Sequence, residues 1–199
     1  MSFGDPIFDK IVLSKHEQNN VRGKPLRYML MTIERFNQFG STIVEVGSVW
    51  ERMPHDIGVF EAECCNGGHS TYFWSLYMDA EVYTVDISLA CIQIVKMDDR
   101  LARVHAFLED GISFLNRFDK KIDLLFLDAW DVLPGIPYAE KHLEAYQAAK
   151  YKLSEKCLIL IDDTDFFDGG KGGHVVPVLL EDGFEIVFDG RQTLLSRGD

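Results

Sequence analysis

The sequence predicts a doubly wound α/β sheet, and three features carry that expectation. Apolar runs alternate with helix-period segments along most of the chain. An apolar strand, Thr42-Ile-Val-Glu-Val-Gly47, ends in glycine. A glycine-rich turn, Asn66-Gly-Gly-His-Ser-Thr71, opens a helix that leads to a second strand ending in an acid, Val82-Tyr-Thr-Val-Asp86. Repeated strand–helix units give a parallel sheet with helices on both faces, and the ligand crevice of such a sheet lies at the carboxyl ends of its strands. With 199 residues and 47% hydrophobic content, the chain is long enough for one well-buried domain and short for two, so 1–199 is read as a single domain.

Residues 1–23 form a polar N-terminal arm. In 24–36, Leu26, Leu30, Ile33 and Phe36 recur at helical spacing and Gly40 follows as a stop, so this helix should cover the sheet. The first strand is 43–46. The next stretch, 48–65, is rich in Glu, Met, Pro and Gly where a tight turn would be ordinary, and reads as an insert loop over the crevice. A helix over 71–78 follows, with Ser70 or Thr71 able to cap its first amides. Strand 82–86, helix 89–97 capped by Ser88, strand 104–108, helix 112–118, strand 122–128, helix 138–153 and strand 158–162 continue the alternation. Lys171-Gly-Gly-His-Val-Val-Pro177 reads as a flexible approach to the last helix, able to form a lid with the 48–65 insert. The end departs from the pattern. Residues 184–188 and 192–196 flank Asp189-Gly190, a pair suited to a two-residue hairpin turn, so the final strand should run antiparallel in a seven-stranded sheet.

Composition excludes several classes of function. A net charge of −12 with no cluster of Lys or Arg among aromatics repels phosphate backbones, so nucleic acid is not an expected partner. The acidic balance suits a cationic ligand, although solubility alone also explains it. No apolar run approaches the length of about eighteen residues that a membrane span needs, and Met1-Ser-Phe-Gly-Asp-Pro-Ile lacks the order of a secretion signal. The expectation is a cytoplasmic protein with no membrane partner. Cys64, Cys65, Cys91 and Cys157 contain no C-x-x-C pair and suggest neither zinc nor a disulfide framework. The oligomeric state is left open, a homo-oligomer included.

At the strand ends, Gly47 allows close approach to the backbone, and Glu45 can hold an ammonium group or orient the loop. Gly67 and Gly68 permit a left-handed turn. Asp86 is placed to accept hydrogen bonds from ribose hydroxyls, a feature common to several cofactors. Asp110-Gly111 serves equally as a plain turn. Asp128, Trp130 and Asp131 follow the fourth strand, and Asp162, Asp163 and Asp165 the fifth. With no Lys or Arg evident beside them, so many carboxylates at one edge would repel unless a cation or basic group joined them; oxygen ligands of this kind suit Mg²⁺, Mn²⁺ or Ca²⁺, and a solvated acidic rim, or caps on the following helix, stands as the alternative.

Five parallel strands, an antiparallel hairpin and acids after strands two to five resemble the Rossmann-like class I S-adenosylmethionine (SAM)-dependent methyltransferases, over about residues 24–197. Leu127-Asp-Ala-Trp-Asp131 and Leu158-Ile-Leu-Ile-Asp-Asp-Thr164 look like the segments after strands four and five of the metal-dependent catechol and caffeoyl-CoA O-methyltransferases, and Asn66-Gly-Gly-His-Ser-Thr71 like their glycine turn. The resemblance implies a cofactor site made by Glu45 and Gly47 at the methionine end, Gly67, Gly68, Ser70 and Thr71 at the turn, Asp86 and Ile87 at the ribose, Glu109 and Asp110 near the adenine, and Asp128. It implies Asp128, Asp162 and Asp163 as metal ligands. It makes Asp128 and Asp131 the catalytic candidates, although catechol enzymes carry His and Lys at the positions of Ala129 and Asp131; His69 and His174 are alternative bases. The implied function is methyl transfer to a small molecule, at a hydroxyl oxygen and with metal assistance. Two other readings stand beside it: a non-catalytic nucleotide- or cofactor-binding module of the same fold, and an NAD-dependent oxidoreductase, against which the missing compact G-x-G-x-x-G counts.

Overall fold

Successive residues of a strand face opposite sides of its sheet, and here both sides are apolar. The computed structural model describes residues 32–53 and 69–198. Its strands are β1 (Thr42–Val46), β2 (Glu81–Asp86), β3 (Val104–Leu108), β4 (Ile122–Leu127), β5 (Leu153–Ile161), β6 (Glu185–Phe188) and β7 (Thr193–Arg197). They form one seven-stranded sheet in the order β3-β2-β1-β4-β5-β7-β6. β1 to β5 pair in parallel, and β7 runs antiparallel to both β5 and β6, as the sequence predicts.

The helices are α1 (Ser70–Tyr77), α2 (Leu89–Met97), α3 (Gly111–Arg117), α4 (Tyr138–Ala149) and α5 (Val175–Glu181), after a helical segment at 32–36. Ile43, Leu124, Phe126, Leu158 and Leu160 face one layer, where Ile33, Phe36, Tyr72, Phe73 and Trp74 cover them. Val44, Leu125, Leu127, Ile159 and Ile161 face the other, under Phe114, Leu115, Tyr146, Val175 and Leu179. Truncating a core aromatic such as Phe126 to alanine should cost about 3–5 kcal/mol. Ile33 and Phe36 occupy the expected helical face; Leu26, Leu30, the arm at 1–23 and residues 54–65 of the insert lie outside the described residues.

Three boundaries differ from the sequence reading. The helix expected to reach Leu153 ends at Ala149, followed by a 3-10 turn at Lys150–Lys152, and β5 begins at Leu153 instead of Leu158. The pairing slips here: Ile122 lies opposite Leu153 while Leu124 lies opposite Leu158, so polar Ser154-Glu-Lys is strand. Ser70 and Thr71 do not cap α1; His69 is the cap residue and makes no side-chain capping bond. The β6–β7 turn is also longer than two residues: 189–192 connect the strands, and Gly190 does not take a positive φ. Tertiary bonds explain this wider loop. Thr164 donates its amide to the Arg191 carbonyl (3.0 Å) and its hydroxyl to that of Gly190 (2.8 Å), tying the turn to the segment after β5.

Candidate active site

The strand order reverses between β1 and β4, and β1, β2, β4 and β5 end around a crevice of about 570 Å³. At its floor Gly47 has φ 96°, and a Cβ there would lie 2.8 Å from the Asp128 carbonyl carbon and oxygen. Glycine is therefore required by the meeting of the β1 and β4 tips. Asp86 ends β2 with both oxygens fixed from one side: Oδ2 accepts the Ser48 amide (3.0 Å) and Oδ1 that of Ser88 (2.7 Å). Each carboxylate oxygen keeps a further lone pair for a ligand. Ile87, 78% exposed, lines the same wall. Asp110 caps α3 by accepting the Ser113 amide (2.9 Å) and also lines the crevice.

Other expected cofactor residues lie elsewhere. Glu45 is fully buried beneath α1 and does not line the crevice. Period-2 alternation puts it on the Ile43 face. Its carboxylate accepts Ser70 Oγ (2.6 Å), Thr71 Oγ1 (2.6 Å), Thr84 Oγ1 (2.7 Å) and Trp74 Nε1 (3.1 Å). Burial pushes its pKa up to about 7 against the Ser70, Thr71 and Thr84 hydroxyls. Ser70 and Thr71 are thus spent on Glu45 and do not line the crevice. Glu109 turns outward to Arg117 (3.0 and 2.8 Å), which holds its carboxyl below the ordinary range. Gly67 and Gly68 lie outside the described residues.

The acids after β4 and β5 do converge: Asp128, Asp162 and Asp163 each offer an oxygen within 4.8 Å of the others. The expectation that no basic group accompanies them is wrong. Lys171, buried to 1% exposure, puts Nζ 2.7 Å from Asp128 Oδ1, 3.3 Å from the Asp128 carbonyl oxygen and 3.3 Å from Asp163 Oδ2. Arg191 pairs with Asp163 Oδ1, and lies 3.5 Å from Asp162 Oδ2 and 3.8 Å from Asp165 Oδ1. Gln192 donates to Asp162 Oδ1 (2.8 Å). Burial opposes the Lys171 charge, but Asp128 and Asp162 outweigh it and hold the pKa above its ordinary value. Burial also raises the Asp128 carboxyl, against the pull of Lys171.

Three carboxylates suit a divalent cation by donor chemistry, but their company does not. Lys171 already bridges Asp128 and Asp163, Arg191 pairs with Asp163 and Gln192 donates to Asp162, so a divalent cation would have to displace these donors or share the cluster with two fixed positive charges. The residues present therefore do not fit Mg²⁺ or Mn²⁺.

Among candidate bases, Asp131 is exposed and lines the crevice. His69 is buried, with Nε2 3.1 Å from the Glu51 carbonyl, and His174 lies in a separate groove beside Phe167. Neither reaches the crevice lining. Trp130 does, held at φ 50° with its ring edge-on to His142 (5.4 Å). His142 is an unforeseen neighbour: burial pushes its pKa down to about 3, so it stays neutral. Asp163 likewise has φ 51°. Non-glycine residues in the left-handed region at the tips of adjacent strands are strained backbone of the kind that gathers at functional sites.

Sequence reasoning missed Lys171, Arg191, Gln192 and His142. A basic residue after the Asp189-Gly190 turn was the available signal for Arg191; nothing local marks the others.

The sequence matches no family model and no curated protein. Solved structures do resemble it. An O-methyltransferase from Bacillus cereus in complex with SAH superposes with a TM-score of 0.57 at 13% identity, covering 97% of this chain and 91% of that one. A Staphylococcus aureus protein provisionally named a caffeoyl-CoA O-methyltransferase gives 0.59 at 15%, covering 98% and 93%. A methyltransferase from Geobacter sulfurreducens gives 0.55 at 16%, covering 96% and 87%. At such identities the likeness establishes a shared fold, the seven-stranded Rossmann-like sheet.

Proposed function

We propose that the chain is a cytoplasmic SAM-dependent methyltransferase acting on a hydroxyl oxygen of a small molecule. The observation that carries the reading is the charge of the crevice. Six carboxylates, those of Asp86, Asp110, Asp128, Asp131, Asp162 and Asp163, line it, and the two cations Lys171 and Arg191 offset only part of their charge. Such a wall favours a ligand bearing a sulfonium and an ammonium and repels the pyrophosphate of NAD. It equally disfavours a nucleic-acid substrate.

Bound SAM supplies an electrophilic methyl group; the chain supplies position, shelter and a proton acceptor. Asp86, oriented by two backbone amides, accepts the ribose hydroxyls. Ile87 and Cys91 give an apolar wall beside it. Trp130 and the exposed Asp131 both line the crevice, which supports Trp130 as a wall toward the acceptor and Asp131 as the base for the hydroxyl proton. Alignment in the crevice lowers the barrier chiefly through proximity. Because the acid cluster does not fit a metal, no step runs through one.

Calorimetric titration with SAM, its demethylated product SAH, and NAD tests the reading. The first two should bind and NAD should not. Asp86→Ala should weaken SAH by about 1.5–3 kcal/mol, the worth of hydrogen bonds to a charged group. Tight NAD binding, or SAH binding indifferent to the substitution, sinks the assignment.

A further inference from the structure

We infer that the acidic cluster at the β4 and β5 tips is braced from within by Lys171 and Arg191, two cations among three carboxylates, and takes no divalent cation, the Lys171 ammonium standing where a metal would. The inference deepens the methyltransferase reading by making its site metal-indifferent, but metal uptake can be measured without it.

The chain is shaped to deliver that ammonium. Asp168, Gly169 and Gly170 all have positive φ (54°, 81° and 51°), reversing the backbone beneath the cluster. A Cβ on Gly170 would collide with the Asp163 carbonyl oxygen, so only glycine lets the two segments pass. The next amide, that of Lys171, donates to the same oxygen (3.2 Å). The side chain then enters from within the protein and is covered.

An ammonium has three protons, and Lys171 has three oxygen neighbours for them: Asp128 Oδ1, the Asp128 carbonyl and Asp163 Oδ2. No proton is left for a ligand, so Lys171 is a positioning residue, holding the two strand tips together. Each of the three carboxylates already has a built-in cationic or amide donor: Lys171 on Asp128 and Asp163, Arg191 on Asp163, Gln192 on Asp162. Arg191 is itself held in register by the bonds from Thr164 to the β6–β7 turn. A metal would have to displace donors fixed by backbone geometry and by burial.

The test is a titration of the chelator-treated full chain with Mn²⁺, followed by the electron paramagnetic resonance of the free ion. Wild type should leave the free signal as it is in buffer, and its melting midpoint should not move with Mg²⁺ or Mn²⁺. Lys171→Ala removes one cation and opens space among the carboxylates; it should gain one Mn²⁺ site, which adding Asp163→Asn abolishes. Uptake of one Mn²⁺ by wild type that Asp163→Asn abolishes would overturn the inference. So would a folded Lys171→Ala that takes up none. If Lys171→Ala does not fold, wild type against Asp163→Asn still decides, since asparagine tolerates the left-handed backbone. SAH titration in the same chelator buffer separates the readings: lost SAH binding without Mn²⁺ uptake removes the methyltransferase and leaves the internal cation standing.

Discussion

Glu45 links burial to pH in a way that Glu45→Gln can expose. Its ordinary pKa is 4.5 and its folded value about 7, with burial the largest cause. A group raised on folding contributes stability that is complete below the unfolded value and lost as pH rises through the folded one. Between 4.5 and 7, at about 1.4 kcal/mol per pH unit, the loss is about 3 kcal/mol. Glutamine is neutral throughout and can keep the network. Its carbonyl can face Trp74 Nε1, which only donates, and Ser70, leaving the amide nitrogen toward the Thr71 and Thr84 hydroxyls, which can turn to accept. Urea unfolding at pH 5 and pH 8 should therefore show the variant gaining about 2.5 kcal/mol relative to wild type across that interval. Equal pH slopes for the two proteins would refute the buried-acid account. A large loss of SAH affinity in a stable variant would instead restore Glu45 to the ligand.

Gly47→Ala must place a side chain at φ 96° against the Asp128 backbone; a loss of about 2–4 kcal/mol in unfolding free energy is expected, and a melting midpoint equal to wild type would contradict it. Asp98 is covered by Arg100 (2.7 Å), Arg52 (3.2 Å) and the Tyr72 hydroxyl (2.8 Å), and the Arg100 bond leads in holding its carboxyl below the ordinary 3.8. That contribution is present above the unfolded value and lost as pH falls through the folded one, so Asp98→Asn should flatten the acid limb of the stability curve below about pH 4. Asp98→Ala should cost about 3–5 kcal/mol by stripping the arginines of their partner, and a smaller loss than Asp98→Asn would be the wrong order.

The sheet was legible because β1, β2 and β4 are buried on both faces and read as apolar runs, with β3 a half-exposed edge strand of mostly apolar residues. The first half of β5 was hidden by Ser154-Glu-Lys, whose polarity fits neither template although the backbone pairs. Asp189-Gly190 marked the hairpin but not its turn, since bonds from Thr164 override local turn preference. In the site, Asp86, Asp110 and the three clustered aspartates were readable because strand ends converge in this architecture. The direction of Glu45 needed its own strand's alternation, with Ile43, to be weighed above its position near the strand's end. Lys171 was misread: Lys171-Gly-Gly-His reads locally as a flexible approach, but the lysine is buried on the aspartates, and the close pass of Gly170 against the Asp163 carbonyl, which sets it there, has no local signature.

The turn between β6 and β7 gives the crevice a dependence on its most peripheral ribbon. β6 lies at the sheet's outer edge and β7 joins it to β5, yet the loop between them carries the guanidinium that balances Asp163. Until that last ribbon docks in folding, the strand tips that bear the aspartates lack Arg191 and repel one another more strongly. In the finished protein, any fraying of that edge withdraws a counter-charge from the interior of the crevice. A cationic ligand would favour the more negative, frayed crevice and compete with Arg191 for its carboxylates, so amide exchange in β6 and β7 should quicken when it binds, coupling the rim of the sheet to occupancy at its centre.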